Sequence, residues 1–343
     1  MNGYLMHKND VVSRIENDIV LDNNALLPLQ LKQGISIQGW LEGRAIDKHR
    51  TNSRLLKKVM RITDTSDIAT VLRAHAATVT DNYWFKADDE DVVYKDILFN
   101  DDSYADVALF GTFESISSAE KLNHKNSRSP ELTNIGSFEK CWKLHDGKWF
   151  MYKRESDLEQ FSEIFICKLG QYFGYDMAVY EKHDDCVVTA DFTENKKFDL
   201  EPAVAFVGEN EDYTYSYKKL REFSPEIAND FVNLIFMDTL CYNMDRHTNN
   251  YGVLRDAETG EIVRLAPNFD NNISLISRGY TSTDVSEKDL LISLWKEFIA
   301  ENNIEFKKPP LSKEAVQQIA DSIDVDVDKG YVVDFIMNRY EVL

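Results

Sequence analysis

Three polar residues in the second half of the chain have the types and spacing of a catalytic metal site. Asp245 follows a long apolar segment, Asn250 lies five residues later, and Asp270 follows a stretch that reads as a β-hairpin. An aspartate at the end of a buried helix can face a cleft and act as a general base. Amide and carboxylate oxygens are hard ligands of the kind that Mg²⁺ prefers. If the two hairpin strands are similar in length, Asp270 returns beside Asn250 and the two can share a metal ion.

This combination suits the transfer of a phosphoryl group from ATP. Such a transfer needs a base for the nucleophile, metal ions on the triphosphate, a cation that holds the phosphates, and backbone amides that cover them. Taken separately, Asp245 reads more simply as part of a polar loop and Asp270 as a turn cap. The pairing of the two through a hairpin is what favours a catalytic site.

The elements that must position these residues are a helix and the hairpin. Ser224-Pro225 is a capping residue followed by proline at the first helical position, which predicts a largely buried helix over Ile227 to Met244. Tyr251 to Leu254 and Ile262 to Leu265 then predict two strands joined by a turn at Glu258-Thr259-Gly260. The tail from residue 287 onward predicts three or four helices, interrupted at Pro309-Pro310.

Residues 132 to 192 predict the order strand, turn, strand, helix, strand, strand. Asp146-Gly147 is a hairpin turn signal, and Ser156 with Glu159 forms a capping box. The helix that follows should stop near Gly174. Val179-Tyr180 and Cys186 to Thr189 complete the pattern as short strands.

The motif residues resemble a known family. Asp245-Arg246-His247-x-x-Asn250 resembles the catalytic loop of HipA-like serine/threonine kinases, including the stand-alone CtkA type, and is also similar to the loop of phosphatidylinositol 3/4-kinases. Leu265 to Asp270 resembles the HipA pattern L-x-P-x-[YF]-D, whose aspartate binds metal. The resemblance covers roughly residues 130 to 340.

The resemblance also implies roles upstream of the catalytic loop. Lys153 is similar to the lysine that holds the ATP phosphates, and Glu163 to its partner on the following helix, with Glu159 as a rival that the capping box already engages. Taken alone, Lys153 would be a surface lysine and Glu163 a solvated helix residue. The remaining cofactor-binding residues implied are Gly136, Ser137 and Lys140 in a phosphate-covering turn, and Val188 and Ala190 near the adenine.

The fold class implied is α+β, a bilobal protein-kinase-like fold with a small β-rich N-lobe around one main helix and a mostly helical C-lobe. The expected divisions are residues 1–130, whose role is left open with packing on the N-lobe as one option, an N-lobe over 131–190, and a C-lobe over 191–343 with its catalytic loop at 245–250.

The function expected is an ATP- and Mg²⁺-dependent serine/threonine protein kinase that also phosphorylates itself near Thr133 and Ser137. Its substrate would be a protein with a serine or threonine acceptor. A catalytically silent nucleotide-binding regulator and a kinase of a small-molecule or lipid hydroxyl are the alternatives. The resemblance leaves an antitoxin-like partner open, without support from residues 1–130. His247 is expected to brace the loop rather than to transfer protons.

The composition limits the partners. The chain has 59 acidic against 39 basic residues and a formal charge of −20, which repels nucleic acid and anionic lipid. No apolar window approaches the roughly 18 residues of a membrane span, and the start lacks the regions of a secretion signal. The four cysteines form no C-x-x-C pair. The expected location is the cytoplasm.

Overall fold

The chain folds into two units that alternate along the sequence. A computed structural model describes residues 1–63, 66–120, 128–286 and 288–343. The first unit comprises Met1–Arg154, Val188–Glu201 and Leu254–Val263, and the second comprises Glu155–Val187, Pro202–Val253 and Arg264–Leu343.

The strands and helices are distributed over the whole chain. The strands are β1 (Gly3–His7), β2 (Asp10–Glu16), β3 (Ile19–Val20), β4 (Tyr83–Ala87), β5 (Lys140–His145), β6 (Lys148–Arg154), β7 (Tyr180–His183), β8 (Cys186–Ala190), β9 (Phe198–Pro202), β10 (Gly252–Asp256) and β11 (Ile262–Leu265). The helices are α1 (Leu29–Lys32), α2 (Ile37–Glu42), α3 (Ser53–Val59), α4 (Asp67–Leu72), α5 (Tyr94–Ile97), α6 (Ala105–Leu109), α7 (Phe113–Glu120), α8 (Asp157–Tyr172), α9 (Val204–Val207), α10 (Tyr213–Phe223), α11 (Pro225–Cys241), α12 (Leu290–Glu301), α13 (Lys313–Asp321) and α14 (Lys329–Val342), with a 3₁₀ turn at Pro130–Thr133.

The N-terminal region has a hydrophobic core of its own. Strands β1, β2, β3 and β4 form an antiparallel sheet in the order β3-β2-β1-β4. Because side chains alternate between the faces of a strand, Leu5 and Phe85 pack with residues of the first helices, such as Trp40, while Met6 and Trp84 pack on the other side. The sheet is therefore covered on both faces, and the described residues of the region 1–130 belong to the first unit.

The hairpin β5–β6 forms as its turn residues predict. Asp146 and Gly147 both have positive φ, 50° and 74°, which is the requirement of the two-residue turn that matches strand twist. The hairpin register places Lys140 opposite Lys153. Strand β8 begins in the second unit, where it pairs with β7, and continues into the first.

Helix α8 begins at the predicted capping box. Ser156 Oγ accepts from the backbone N–H of Glu159, and the Glu159 carboxylate accepts from the N–H of Ser156 at 2.8 Å. The helix ends at Tyr172, before Gly174 with a φ of 80°. It packs against α11 and α13 and lies in the second unit.

Helix α11 is shorter than the sequence pattern indicated. It begins at Pro225 after the Ser224 cap, but it ends at Cys241 rather than at Met244. Tyr242 adopts a left-handed conformation with a φ of 56°, and the N–H of Asn243 closes the end on the carbonyl of Asp238 at 2.8 Å. Apolar periodicity does not reveal this left-handed residue.

The hairpin β10–β11 is confirmed. Asp256 Oδ1 accepts from the N–H groups of Glu258 and Thr259, both at 2.9 Å, and orders the turn. At the other end of the hairpin, Ala266 N donates to Gly252 O at 2.8 Å. Since these two residues pair, the chain after β11 returns to where β10 began.

The C-terminal part is helical, as predicted. Over the described residues 288–343 it forms α12, α13 and α14, with Pro309-Pro310 between the first two. The predicted mixture of small antiparallel sheets and many helices is thus confirmed. In the described part of the chain, every helix is too short or too polar to cross a lipid bilayer.

Candidate active site

Arg246 is the centre of a buried network in the second unit. Its side chain is only 2% exposed, and Nε and Nη2 donate to the two carboxylate oxygens of Asp238 at 2.8 and 2.9 Å. Burial lowers the pKa of Arg246, but the Asp238 carboxylate outweighs it, so the pKa stays above its usual value. The guanidinium is therefore a permanent charge held in one orientation.

The same guanidinium joins the catalytic loop to the segment before Asp270. Arg246 Nη1 donates to the carbonyl of Asn250 and to the carbonyl of Phe269, the latter at 2.8 Å. Because one nitrogen contacts both carbonyls, the backbones of the two segments lie side by side. The predicted return of the hairpin is present at backbone level.

Asn268 and Asn271 complete the contacts of this guanidinium. Arg246 Nη2 donates to Asn268 Oδ1 at 3.0 Å and to Asn271 Oδ1 at 2.6 Å. Both asparagines are buried, and both side chains accept from the same charged donor. Arg246 therefore fixes the residues on either side of Phe269 and Asp270.

The predicted base and the predicted metal amide are directly linked. Asn250 Nδ2 donates to the backbone carbonyl of Asp245 at 3.0 Å, so its Oδ1 faces away from that bond. The backbone N–H of Asp245 donates to Asn243 Oδ1 at 2.9 Å, and the Asp245 side chain is half-buried. An amide oxygen is a ligand type that magnesium accepts, so Asn250 is chemically suited to the predicted role.

Asp270 has an unusual backbone. Its φ is 61°, in the left-handed region that non-glycine residues rarely adopt. The N–H of Asp270 donates to the hydroxyl of Tyr180 at 3.3 Å, and the N–H of Asn271 donates to Glu163 Oε1 at 2.8 Å. Backbone strain of about 1–3 kcal/mol is typical of functional sites that the surroundings hold in place.

Glu163 lies in the middle of α8 and is fully buried. Its contact with Asn271 anchors α8 to the segment that follows Asp270. The reading of Glu163 as a solvated helix residue is thereby wrong, whereas Glu159 is engaged at the start of the helix. Glu155 binds the same segment, since Oε1 accepts from Asn272 Nδ2 at 2.9 Å.

His247 contributes to the order of the loop. Its Nδ1 accepts from the backbone N–H of Asn249 at 3.3 Å.

The predicted metal pair consists of one carboxylate and one amide. Within the described ranges, no group of three or more His, Cys, Asp or Glu side chains is arranged to hold a metal ion. Magnesium commonly keeps several waters and binds one or two protein oxygens together with phosphates.

The first unit holds the other predicted residues. Lys153 on β6 is 5% exposed, so it is a buried residue and the reading as a surface lysine is wrong. Gly136 has a φ of 114°, and the space that a side chain would occupy there is filled by the ammonium end of Lys140. A turn of this kind requires glycine. Ser137 is exposed, whereas Thr133 is buried and its hydroxyl donates to Ala77 O at 2.7 Å.

The predicted adenine segment is the end of β8. Val188 is half-buried, Thr189 is buried and Ala190 is exposed, which leaves their placement as nucleotide contacts a prediction.

The roles of Asp238, Asn268 and Asn271 were not predicted from the sequence. An available signal for Asp238 was an acidic residue directly after the apolar run Leu234 to Met237 of a largely buried helix, because a buried carboxylate requires a partner.

Comparisons with known proteins find similarity in structure alone. No protein-family profile and no curated protein matches the sequence. The proinflammatory kinase CtkA of Helicobacter pylori matches with a TM-score of 0.45 and 16% identity, over 59% of this chain and 90% of that one. HipA of Shewanella oneidensis MR-1, solved with HipB and its operator DNA, matches with a TM-score of 0.52 and 10% identity, over 92% of this chain and 84% of that one.

The match to HipA is longer than the resemblance in sequence. An alignment over 92% of this chain must extend well into residues 1–130, which showed no similarity to HipA by motif. The alignment with HipA therefore includes much of the N-terminal region as well as the part that carries the motifs. The chain is a protein with a HipA-like fold.

Proposed function

We propose that the chain is an ATP- and Mg²⁺-dependent phosphotransferase, and specifically a serine/threonine protein kinase that also phosphorylates itself. The observation that supports this most strongly is the double contact of Arg246 with the carbonyls of Asn250 and Phe269. It holds the loop of the proposed base beside the segment of the proposed metal aspartate. The bilobal kinase-like architecture and a cytoplasmic location belong to the same proposal.

The second unit supplies the reacting groups. The carboxylate of Asp245 accepts the proton of the acceptor hydroxyl while the hydroxyl oxygen bonds to the γ-phosphorus and the bond from that phosphorus to ADP breaks. Asn250 Oδ1 and the Asp270 carboxylate would hold Mg²⁺. When bound, the metal ion neutralises charge on the triphosphate. Glu163 keeps the segment after Asp270 in place through the N–H of Asn271.

The first unit supplies the groups that hold the nucleotide. Lys153 is proposed to hold the phosphates, and the turn from Gly136 to Lys140 to cover them. Val188 and Ala190 are proposed to flank the adenine.

Incubation with Mg²⁺-ATP and intact-mass measurement test the proposal. We expect the wild type to gain about 80 Da, one phosphoryl group. Asp245→Ala should lower the transfer rate about 10²- to 10⁴-fold, the usual effect of a lost acid–base group. Asp326→Ala, which removes an exposed carboxylate elsewhere in the second unit, is the matched control.

Phosphopeptide mapping of the same samples locates the acceptor. Ser137 is expected because it is exposed, and Thr133 is disfavoured because it is buried and bonded to Ala77. Equal transfer rates in the wild type and Asp245→Ala would remove Asp245 from the mechanism. No transfer to any peptide or protein, with Mg²⁺-dependent ATP binding intact, would indicate a nucleotide-binding regulator instead.

A further inference from the structure

A groove of about 450 Å³ opens in the second unit beside Asp245. Its walls are the loop from Asn243 to His247, the start of α10 and one side of α12. All of these segments belong to the second unit. A substrate hydroxyl that approaches Asp245 from this side would bring the neighbouring part of its chain into the groove.

The groove has an apolar part that is open to solvent. Met244 is 43% exposed, Leu290 56% and Leu294 37%. Phe298 forms the buried floor and packs edge-to-face against Tyr213, with ring centroids 6.1 Å apart. Exposed aliphatic side chains over an aromatic floor suit the side chains of an aliphatic ligand.

The rim of the groove is acidic. Its four carboxylates come from the start of α10 and the outer face of α12, namely Glu211, Asp212, Glu297 and Glu301. All four are exposed. Among the described residues that line the groove, Arg246 is the sole permanent cation, and Asp238 takes up its guanidinium.

Two of these carboxylates already accept hydrogen bonds from residues of α10. Asp212 caps α10 by accepting from the N–H of Tyr215 at 2.6 Å, and Glu301 accepts from the hydroxyl of Thr214 at 2.9 Å. Glu211 and Glu297 are left to interact with a ligand. Their charges add to the formal charge of −20 of the whole chain, so the groove repels anionic lipid and nucleic acid.

We propose that this groove binds the peptide segment around the acceptor hydroxyl and selects segments in which leucine-like and lysine- or arginine-like residues flank the serine or threonine. The aliphatic residues pack on Leu290 and Leu294, and the cationic residues face Glu211 and Glu297. This inference rests on the proposed kinase function, whose acceptor it specifies. The occupant is thus an extended basic and aliphatic segment of a protein substrate.

Binding and phosphorylation of a peptide pair test it. The first peptide has one serine flanked by leucines and lysines, and the second has glutamate in place of each lysine. Binding is measured on the matching peptides with alanine in place of serine, so that it does not depend on catalysis. We expect the lysine peptide to bind at least about tenfold more tightly, with an affinity that falls as salt is added.

Charge reversal in the groove gives the matched comparison. Glu211→Lys combined with Glu297→Lys should weaken binding of the lysine peptide about tenfold and raise its KM. Glu305→Lys combined with Glu341→Lys changes the net charge equally at exposed sites outside the groove and should leave the affinity within about twofold. Replacement of the peptide leucines by alanine should also weaken binding.

Each outcome bears on the groove separately from the activity. If the wild type phosphorylates itself but binds both peptides equally, or neither, the groove proposal is overturned and the kinase proposal is kept. Equal losses in the groove variant and in the surface control would also overturn it. If the lysine peptide binds as expected and no transfer occurs, the kinase proposal fails while the groove remains a binding site for basic segments.

Discussion

Both units contain buried arginine–carboxylate pairs, and the Arg246–Asp238 pair of the second unit differs from the Arg50–Glu131 pair of the first in how fully it is bonded. In the second unit, Arg246 donates to both oxygens of Asp238 and also to two backbone carbonyls and two asparagine side chains. In the first unit, Arg50 and Glu131 are equally buried, but their closest charged atoms are 3.7 Å apart.

The Arg50–Glu131 pair leaves hydrogen-bond donors of Arg50 unused. Arg50 Nη2 donates to the carbonyls of Lys140 and Ala108, whereas Nε and Nη1 have no partner in the described residues. Glu131 accepts from the N–H of Trp142 at 2.7 Å and from Asn134 Nδ2 at 3.1 Å. Burial raises the pKa of Glu131 to about 7 despite the opposing charge of Arg50.

The difference shows what a buried charge pair can do in each place. A saturated pair fixes the chain segments that it contacts, as the proposed catalytic residues require. An incompletely bonded pair costs stability when ionised and can exchange a proton near neutral pH. Glu131 lies just before the turn from Gly136 to Lys140.

Removal of Arg246 should have the largest effect. Arg246→Leu leaves the Asp238 carboxylate buried without its cation, which costs about 3–5 kcal/mol in the free energy of unfolding. Arg50→Leu should cost less, about 1–3 kcal/mol, because fewer hydrogen bonds are lost. Urea unfolding followed by fluorescence and circular dichroism measures both.

A double variant separates the loss of the pair from the uncompensated charge. Arg246→Leu together with Asp238→Leu should recover part of the lost stability, since no charge is then left buried. If Arg50→Leu were as costly as Arg246→Leu, the two pairs would be energetically equivalent and the contrast drawn from their hydrogen bonds would be wrong.

The next largest effect is a pH dependence from Glu131. A carboxyl whose pKa is raised on folding binds its proton more tightly in the folded state, so stability falls as pH rises from about 4.5 to about 7. Converted to an energy, this pKa shift lowers the free energy of unfolding by up to about 3 kcal/mol at pH 8 relative to pH 4. Glu131→Gln should lack this loss.

The difference in unfolding free energy between the wild type and Glu131→Gln, measured from pH 4 to pH 8, isolates this one group. Glu114→Gln, at an exposed position of α7, controls for the substitution itself. Parallel curves for the wild type and Glu131→Gln would show that the pKa of Glu131 is the same in the folded and unfolded states, and therefore that its contacts, including Arg50, offset the effect of burial.

The parts of the structure that the sequence predicts are those that short-range chemistry determines. The turn at Asp146-Gly147, the capping box at Ser156 and the hairpin that returns to Asp270 all depend on residues close in sequence. Each has a recognisable local signal. The prediction of where α11 ends was wrong because a left-handed tyrosine, Tyr242, has no such signal.

The two charge pairs could not be predicted from the sequence. Their partners are either distant from each other in the chain or lie within a periodic pattern that predicts only a helix. Arg246 was identified as part of a motif, but its contacts with Asn268 and Asn271 depend on how the hairpin folds back. Arg50 and Glu131 are joined across the region in which periodicity was least informative. A polar residue affects the free energy of unfolding strongly only when it is buried, and the fold determines which residues are buried.

The smallest predicted effect concerns the neutral amide that supports each carboxylate. Asn243 Nδ2 donates to Asp238 Oδ1 at 2.9 Å, and Asn134 Nδ2 donates to Glu131 Oε2 at 3.1 Å. Asn243→Ala should cost about 1–2 kcal/mol, because it removes a hydrogen bond to an ionised group and the acceptor for the N–H of Asp245. Asn134→Ala should cost less at pH 6, where Glu131 is largely protonated and the bond is weaker. At pH 8 that cost should increase, since the amide then donates to a full charge. Urea unfolding of the wild type and Asn134→Ala at the two pH values measures this, and a cost of Asn134→Ala that does not change with pH would mean that Glu131 has the same charge at pH 6 and at pH 8.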